Sequence, residues 1–152
     1  MTRIAIESPA QPEIASLLAM LDVYLGALYP PECNYILDID ALCQPDIVFA
    51  VARDANGIAI GCAAIRLDDG FAELKRMFMH PASRGGGVAK RLIGFLETQA
   101  MARGFSLLLL ETGIYQPEAI GLYEGIGFIR RGSFGNYPDD PRSLFMGKTL
   151  AQ

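Results

Sequence analysis

The chain has 152 residues, 51% of them hydrophobic and 20% charged, with a formal net charge of -4. That length suits one packed core, the composition argues against disorder, and the acidic balance lacks the basic excess of a nucleic-acid binder. Three cysteines (Cys33, Cys43, Cys62) without a C-x-x-C spacing and a single histidine, His80, argue against a disulfide framework or a metal site. The opening MTRIAIESPAQPEI has no long apolar stretch of a secretory kind, and no uncharged apolar run approaches a membrane span. A cytoplasmic protein with neither membrane nor nucleic-acid partners is expected, and a homodimer is compatible with it.

Arg3 to Glu7 alternates weakly and reads as a first strand. Ser8 or Gln11 then opens a helix whose apolar residues Ile14, Leu17, Leu18, Leu21 and Leu25 recur at helical spacing. Pro30-Pro31 stops it. Tyr29 to Tyr35 reads as a loop, with a second short helix over Asp38 to Cys43. Ile47 to Arg53 and Ile58 to Leu67 form a hairpin around Asn56-Gly57, a strong two-residue turn signal. Phe71 to Met79 returns as a third antiparallel strand after Asp68-Asp69-Gly70. Strict alternation puts Glu73, Lys75, Met77 and Met79 on one face of it, and Leu74, Arg76 and Phe78 on the other.

His80 to Arg84 is a loop. Gly87 to Arg103 is helical, with Val88, Leu92, Ile93, Leu96 and Ala100 on one stripe and Gly104 as the C-cap. Leu107 to Leu110 is a continuous apolar run, a strand buried on both faces. Pro117 suits the first turn of a helix reaching about Tyr123, ended by Gly125 and Gly127. Phe128–Gly132 and Leu144–Thr149 are short final strands around a polar loop, Gly135 to Arg142. The whole chain, 1–152, is expected to form one α/β domain. A helical crossover joins parallel strands, so Phe71–Met79 and Leu107–Glu111 should lie parallel in an otherwise antiparallel sheet.

The strand-to-helix junction Arg84-Gly85-Gly86-Gly87-Val88-Ala89 carries the first chemical signal. Glycines let backbone approach a ligand, and free N–H groups at a helix N-terminus favour a phosphate; Lys90 and Arg91 add positive charge. There is no G-x-x-x-x-G-K-[ST] P-loop, and no G-x-G-x-x-G opening a parallel βαβ unit. The junction fits the [QR]-x-x-G-x-[GA] pattern and is similar to the pyrophosphate-binding turn of the GNAT (GCN5-related) N-acetyltransferase superfamily. Gln116-Pro-Glu-Ala-Ile-Gly-Leu-Tyr-Glu-Gly-Ile-Gly-Phe128 resembles a second family signature, N-x-x-A-x-x-L-Y-x-x-x-G-F, with Gln116 in place of asparagine. The element order agrees along the whole chain.

This resemblance implies a GNAT fold of about seven strands and about four helices, splayed at the central parallel pair, and acetyl-coenzyme A as co-substrate. It implies that Arg84, Gly85, Gly86, Gly87, Val88 and Ala89 wrap the pyrophosphate. The backbone of Met77, Phe78 and Met79, with the Gln116 amide, would meet the pantetheine. Tyr123 would protonate the departing thiolate, as a phenol of pKa ~10 is able to do at neutral pH. Glu73 falls on the position of a general-base glutamate in histone-type members; it equally suits an ion pair with Lys75 or Arg76, and Glu32 and Glu111 are reserves. Tyr29, Glu32, Asn34, Lys75, Tyr115 and Tyr137 are the candidates for holding the acceptor. The Gly-Asn-Tyr-Pro-Asp-Asp-Pro loop and the Glu-Leu-Lys-Arg-Met strand look like a bacterial subgroup often labelled indole-acetic acid or amino-acid acetyltransferases. The expected activity is acetyl transfer to a primary amine of a small polar or amino-acid-like acceptor by direct attack. The alternatives are a protein lysine or N-terminal acetyltransferase, and a non-catalytic coenzyme A-binding regulatory domain.

Overall fold

A computed structural model describes residues 1–150. Seven strands form one sheet: β1 (Arg3–Ile6), β2 (Ile47–Arg53), β3 (Ala59–Leu67), β4 (Ala72–Met79), β5 (Leu107–Gly113), β6 (Ile129–Arg131) and β7 (Ser143–Thr149), in the spatial order β1-β2-β3-β4-β5-β7-β6. The helices are α1 (Pro12–Leu28), α2 (Ile39–Leu42), α3 (Val88–Ala102) and α4 (Pro117–Gly125). Every neighbouring pair is antiparallel except β4 and β5, which α3 connects and which run parallel. This is the mixed sheet that the crossover requires.

The strands separate two cores. Val48, Ala50 and Ala52 of β2 face the stripe Val88, Leu92, Ile93, Leu96 and Ala100 of α3, joined by Tyr123 and Phe128. Phe49 and Val51 face Ile14, Leu17, Leu18 and Leu21 of α1 and Leu42 of α2. A period-two strand with apolar residues at every position is stable only when both faces are covered, as they are here. A third cluster, Leu109, Phe134 and Phe145, continues the α1 face beneath the β6–β7 loop.

Several boundaries differ from the sequence expectation. Gln11, not Ser8, is the N-cap of α1, and Pro12 takes the first helical position, where its missing N–H is harmless. The loop Tyr29 to Tyr35 contains a 3-10 turn over Pro31–Cys33. β5 runs on to Gly113, because β7 remains paired with it to Ser143. α3 ends at Ala102 with Arg103 as its C-cap, one residue before the expected Gly104, which instead takes the left-handed position just after it (φ +88°) while the Phe105 N–H reaches the Ala100 carbonyl (3.0 Å).

The largest correction concerns β4. Its register against β3 steps from Cys62↔Phe78 to Ala64↔Lys75, which leaves an extra residue on β4, and Arg76 there has φ +55°. This β-bulge inverts the side-chain alternation. Lys75 and Arg76 both point to the α1 side, where Arg76 pairs with Asp22, while Leu74, Met77 and Met79 pack on the α3 side. Glu73 and Lys75 therefore do not share a face with Met77 and Met79, and Arg76 does not share one with Leu74.

Candidate active site

β4 and β5 pair only over Ala72–Leu74 and Leu108–Leu110. Beyond Leu74 the bulge carries β4 away with β3, while β5 stays with β7, so the two strands splay into a wedge. Two clefts open there. The larger, about 430 Å³, runs between Met77–Met79 and the α3 N-terminus, past Arg84, Gly85, Gly87, Val88, Ala89 and Lys90, to α4. The smaller, about 110 Å³, lies among β4, β5 and the loops around Asn34 and Arg142. Leu21, Met77, Gln116 and Tyr123 line both and form the partition between them.

The glycine turn is built as a cradle. Gly85 (φ +89°) and Gly87 (φ +79°) hold left-handed backbone conformations that favour glycine. Apart from each glycine and its chain neighbours, no heavy atom lies within 4 Å of where a Cβ of Gly85, Gly86 or Gly87 would stand. α3 begins at Val88, so its unpaired N–H groups and dipole present positive potential to this open face. Arg84 folds back, its Nε donating to the Met79 carbonyl (3.1 Å) and its guanidinium lying 5.5 Å from the Phe78 ring centre. Arg91 is turned away, onto the Thr2 carbonyl (3.1 Å).

Tyr123 is 7% exposed, with its ring edge-on to Phe128 at 5.8 Å. Burial, reinforced by the charge of Glu111, pushes its phenol up to about 12, so it stays protonated throughout the physiological range. Among the described residues its hydroxyl has no hydrogen-bond partner. Gln116 is turned inward instead: its Oε1 accepts from the Gly113 N–H (3.2 Å) and the Tyr29 hydroxyl (3.3 Å).

The two glutamates differ sharply. Glu73 is 1% exposed and lines neither cleft. Its carboxylate accepts from Arg66 Nη2 (3.1 Å) and the Tyr137 hydroxyl, and Lys75 Nζ stands 3.4 Å away. Both oxygens are thus engaged in a structural network. Glu111 lines the smaller pocket beside Tyr123, and burial raises its carboxyl above the ordinary glutamate value. The carboxylate facing the pocket is the reserve, Glu111, not Glu73, which the family resemblance put forward.

Of the acceptor candidates, Tyr29, Asn34 and Lys75 line the smaller pocket; Glu32, Tyr115 and Tyr137 do not. Glu32 is exposed on the 3-10 turn. Tyr115 stacks behind Tyr29 at 5.4 Å. Tyr137 lies under the pocket wall, where its hydroxyl accepts from Lys75 Nζ (2.7 Å). Sequence reasoning missed Arg76, Cys33 and Arg142, which also line the pocket. Arg76 gave no signal because the bulge is invisible in the alternation, and Arg142 lies in a loop with no period.

Residues 14–128 match the model of the family described as Acetyltransferase (GNAT) family. The chain belongs to that family. It is 51% identical over 149 residues to an IAA acetyltransferase of Azospirillum brasilense, covering 97% of each chain. With an N-acetyltransferase of Bacillus subtilis it shares 37% identity over 80% of this chain and 82% of that protein. A crystal structure described as an acyl-CoA N-acyltransferase, from Klebsiella pneumoniae, superposes with a TM-score of 0.85 at 35% identity, covering 99% of both chains. PaiA N-acetyltransferase from Thermoplasma acidophilum, solved in complex with coenzyme A, shares the fold (TM-score 0.75, 16% identity, 98% of this chain and 99% of that one). This GNAT enzyme is thus an N-acetyltransferase, and among its described residues no helix is long and apolar enough to cross a membrane.

Proposed function

We propose that the protein transfers the acetyl group of acetyl-coenzyme A to the primary amine of a small polar or amino-acid-like acceptor, by direct attack in a ternary complex. The observation that carries this is Tyr123, which stands where the two clefts meet. The larger cleft fits the coenzyme. Its glycine cradle is open, and the α3 N-terminus suits a pyrophosphate. The β4 backbone from Lys75 to Met79 has no strand partner on its β5 side, which leaves that edge for the pantetheine amides. The name of the Azospirillum brasilense relative, an IAA acetyltransferase, is consistent with a small-molecule acceptor.

In this scheme the acceptor amine enters the smaller pocket and attacks the thioester carbon at the partition. Glu111 takes the proton that the nitrogen loses as the C–N bond forms, directly or through a water. Tyr123 donates a hydrogen bond, and finally its proton, to the sulfur as the C–S bond breaks, and the proton that Glu111 took returns to Tyr123 through solvent, restoring both groups. The products are the N-acetylated amine and free coenzyme A. Glu73 holds Tyr137, Lys75 and Arg66 in place and takes no proton. A pocket of about 110 Å³ walled by two loops suits a small molecule better than a peptide.

The test is thiol release from acetyl-coenzyme A across a panel of small primary amines, with the acetylated product identified by mass spectrometry. Turnover of a small amine with the acetyl group on nitrogen is expected. Tight coenzyme A binding with no thiol release for any amine would leave a coenzyme-binding domain without catalysis.

A further inference from the structure

Four charged side chains line the smaller pocket: Lys75, Arg76 and Arg142 against a single acid, Glu111. Their commitments differ. Lys75 Nζ is fully engaged, with the Tyr35 carbonyl at 3.1 Å, the Tyr137 hydroxyl at 2.7 Å and Glu73 at 3.4 Å. Arg76 gives Nη1 to Asp22 (2.6 Å), but its Nε is buried and has no partner among the described residues. Arg142 gives Nε and Nη2 to Asp140 (3.2 Å each), and among the described residues its Nη1 donates to nothing. Asp140 is in turn held by the Cys33 thiol (3.2 Å) and the Arg142 N–H (2.8 Å), so its oxygens have little left for a ligand.

Two guanidiniums with unused donors thus border a small pocket that holds one acid. An unpaired buried N–H is unfavourable, and an oxygen ligand removes that penalty. Each cation already has a carboxylate partner, so what the pocket offers a ligand is directed N–H donors that suit an oxygen acceptor. The Ile114 N–H donates to the Arg142 carbonyl (3.0 Å), which sets Arg142 three residues along the strand from Glu111, roughly 10 Å. Two side chains reaching inward from those points leave room for a small amino acid between them. We propose that Arg142 and Arg76 hold a carboxylate of the acceptor, so that the acceptor is an amino acid whose amine is presented to Glu111 and Tyr123. This rests on the transferase reading above. Arg142 and Arg76 are then the residues that set acceptor class.

The experiment compares the protein L-amino acids with their α-carboxamides, which keep the amine and side chain and lose only the charge. Binding is measured by calorimetry on the coenzyme A-bound protein, and turnover by thiol release. For the best acceptor, the acid is expected to bind about 10- to 100-fold tighter than its amide, the range of a charged hydrogen bond. Arg142→Gln should reduce that ratio to near one, and Arg142→Glu should invert it. A merely structural role for Arg142, through Asp140 and its loop, would weaken acid and amide alike and leave the ratio unchanged; that result overturns the proposal. Arg76→Lys, which keeps the charge and removes the planar fork, should lower the ratio partially. Amides that bind as well as acids, or no amino acid bound at all, would also sink it. The two proposals fail separately. Amides turned over as fast as acids preserve the transferase and remove the carboxylate subsite, whereas acids bound selectively without thiol release do the reverse.

Discussion

Tyr123→Phe isolates one atom. The ring packs on Phe128 in the α3-side core, and the hydroxyl has no hydrogen-bond partner among the described residues, so its loss orphans nothing. Stability should change by less than about 1 kcal/mol. The catalytic effect follows from the phenol's position on the proton scale. Burial pushes it up to about 12, while an ordinary thiol lies near ~8.5. Complete transfer of the proton to a free thiolate would then be uphill by on the order of 5 kcal/mol. Tyr123 therefore acts first as a hydrogen-bond donor to the charge growing on sulfur. Such a bond to an ionised group is worth about 1.5–3 kcal/mol, so kcat should fall about 10- to 100-fold. The interaction develops only as the C–S bond breaks, so the affinity for acetyl-coenzyme A should stay within about twofold. Pre-steady-state acetyl transfer, with calorimetry and a melting curve on the same variant, reads all three quantities. Unchanged transfer in a single turnover, where product release cannot mask chemistry, would refute the role assigned to the hydroxyl. A loss of melting temperature matching the loss of rate would also refute it.

Gly87→Glu places a charged side chain at a φ of +79° in the open cradle, and coenzyme A affinity should fall at least about tenfold (1.4 kcal/mol) in calorimetry; a folded variant with wild-type affinity would move the pyrophosphate elsewhere. Glu111→Gln and Glu73→Gln should separate. The first should lower kcat by about 100-fold or more with little effect on melting; the second removes the partner of buried Lys75 and of Arg66, costing about 2–4 kcal/mol in denaturant unfolding, with a smaller effect on kcat. Equal kinetic losses would return Glu73 to candidacy as the base. A base must be ionised, and burial raises Glu111 above 4.5, so kcat/KM should decline as pH falls through a midpoint above 4.5. With an acceptor amine of low pKa, Glu111→Gln should abolish that limb. Gly113→Ala would drive a methyl into the Tyr29 hydroxyl, breaking its bonds to Gln116 and the Tyr115 N–H. We expect a loss of about 2–4 kcal/mol in denaturant unfolding and a KM effect on the acceptor larger than on the coenzyme.

The order of elements was legible because each repeats a simple period. Val88, Leu92, Ile93, Leu96 and Ala100 were readable as one stripe, and the same five are buried on α3. Asn56-Gly57 marked its hairpin, although the turn spans three residues between Asp54 and Ile58, with Gly57 alone at a positive φ (+78°). The larger cleft was readable for a similar reason: its glycines and helix start are contiguous in sequence. The smaller pocket was readable only in part, through Tyr29, Asn34 and Lys75. It draws on the loop after α1, on β4, β5 and the β6–β7 loop, and none of these announces its neighbours. Glu73 stood out by family position, yet its burial with Arg66, Tyr137 and Lys75 depends on residues up to 64 positions away. Strand parity failed at Arg76, since no local residue type forces a bulge there.

That bulge divides β4 into two segments with separate duties. Up to and including Arg76, the strand lines the smaller pocket; beyond it, Phe78 and Met79 line the larger cleft, and Met77 borders both. A substitution at 75 or 76 therefore reshapes the acceptor wall while the pantetheine edge keeps its register. Descendants of such a strand could exchange one amine for another through one or two codons, with the acyl donor untouched. Deleting Arg76 itself would restore plain alternation with Lys75, Met77, Phe78 and Met79 still on their present faces, so the smaller pocket would lose a guanidinium while the larger cleft kept its wall.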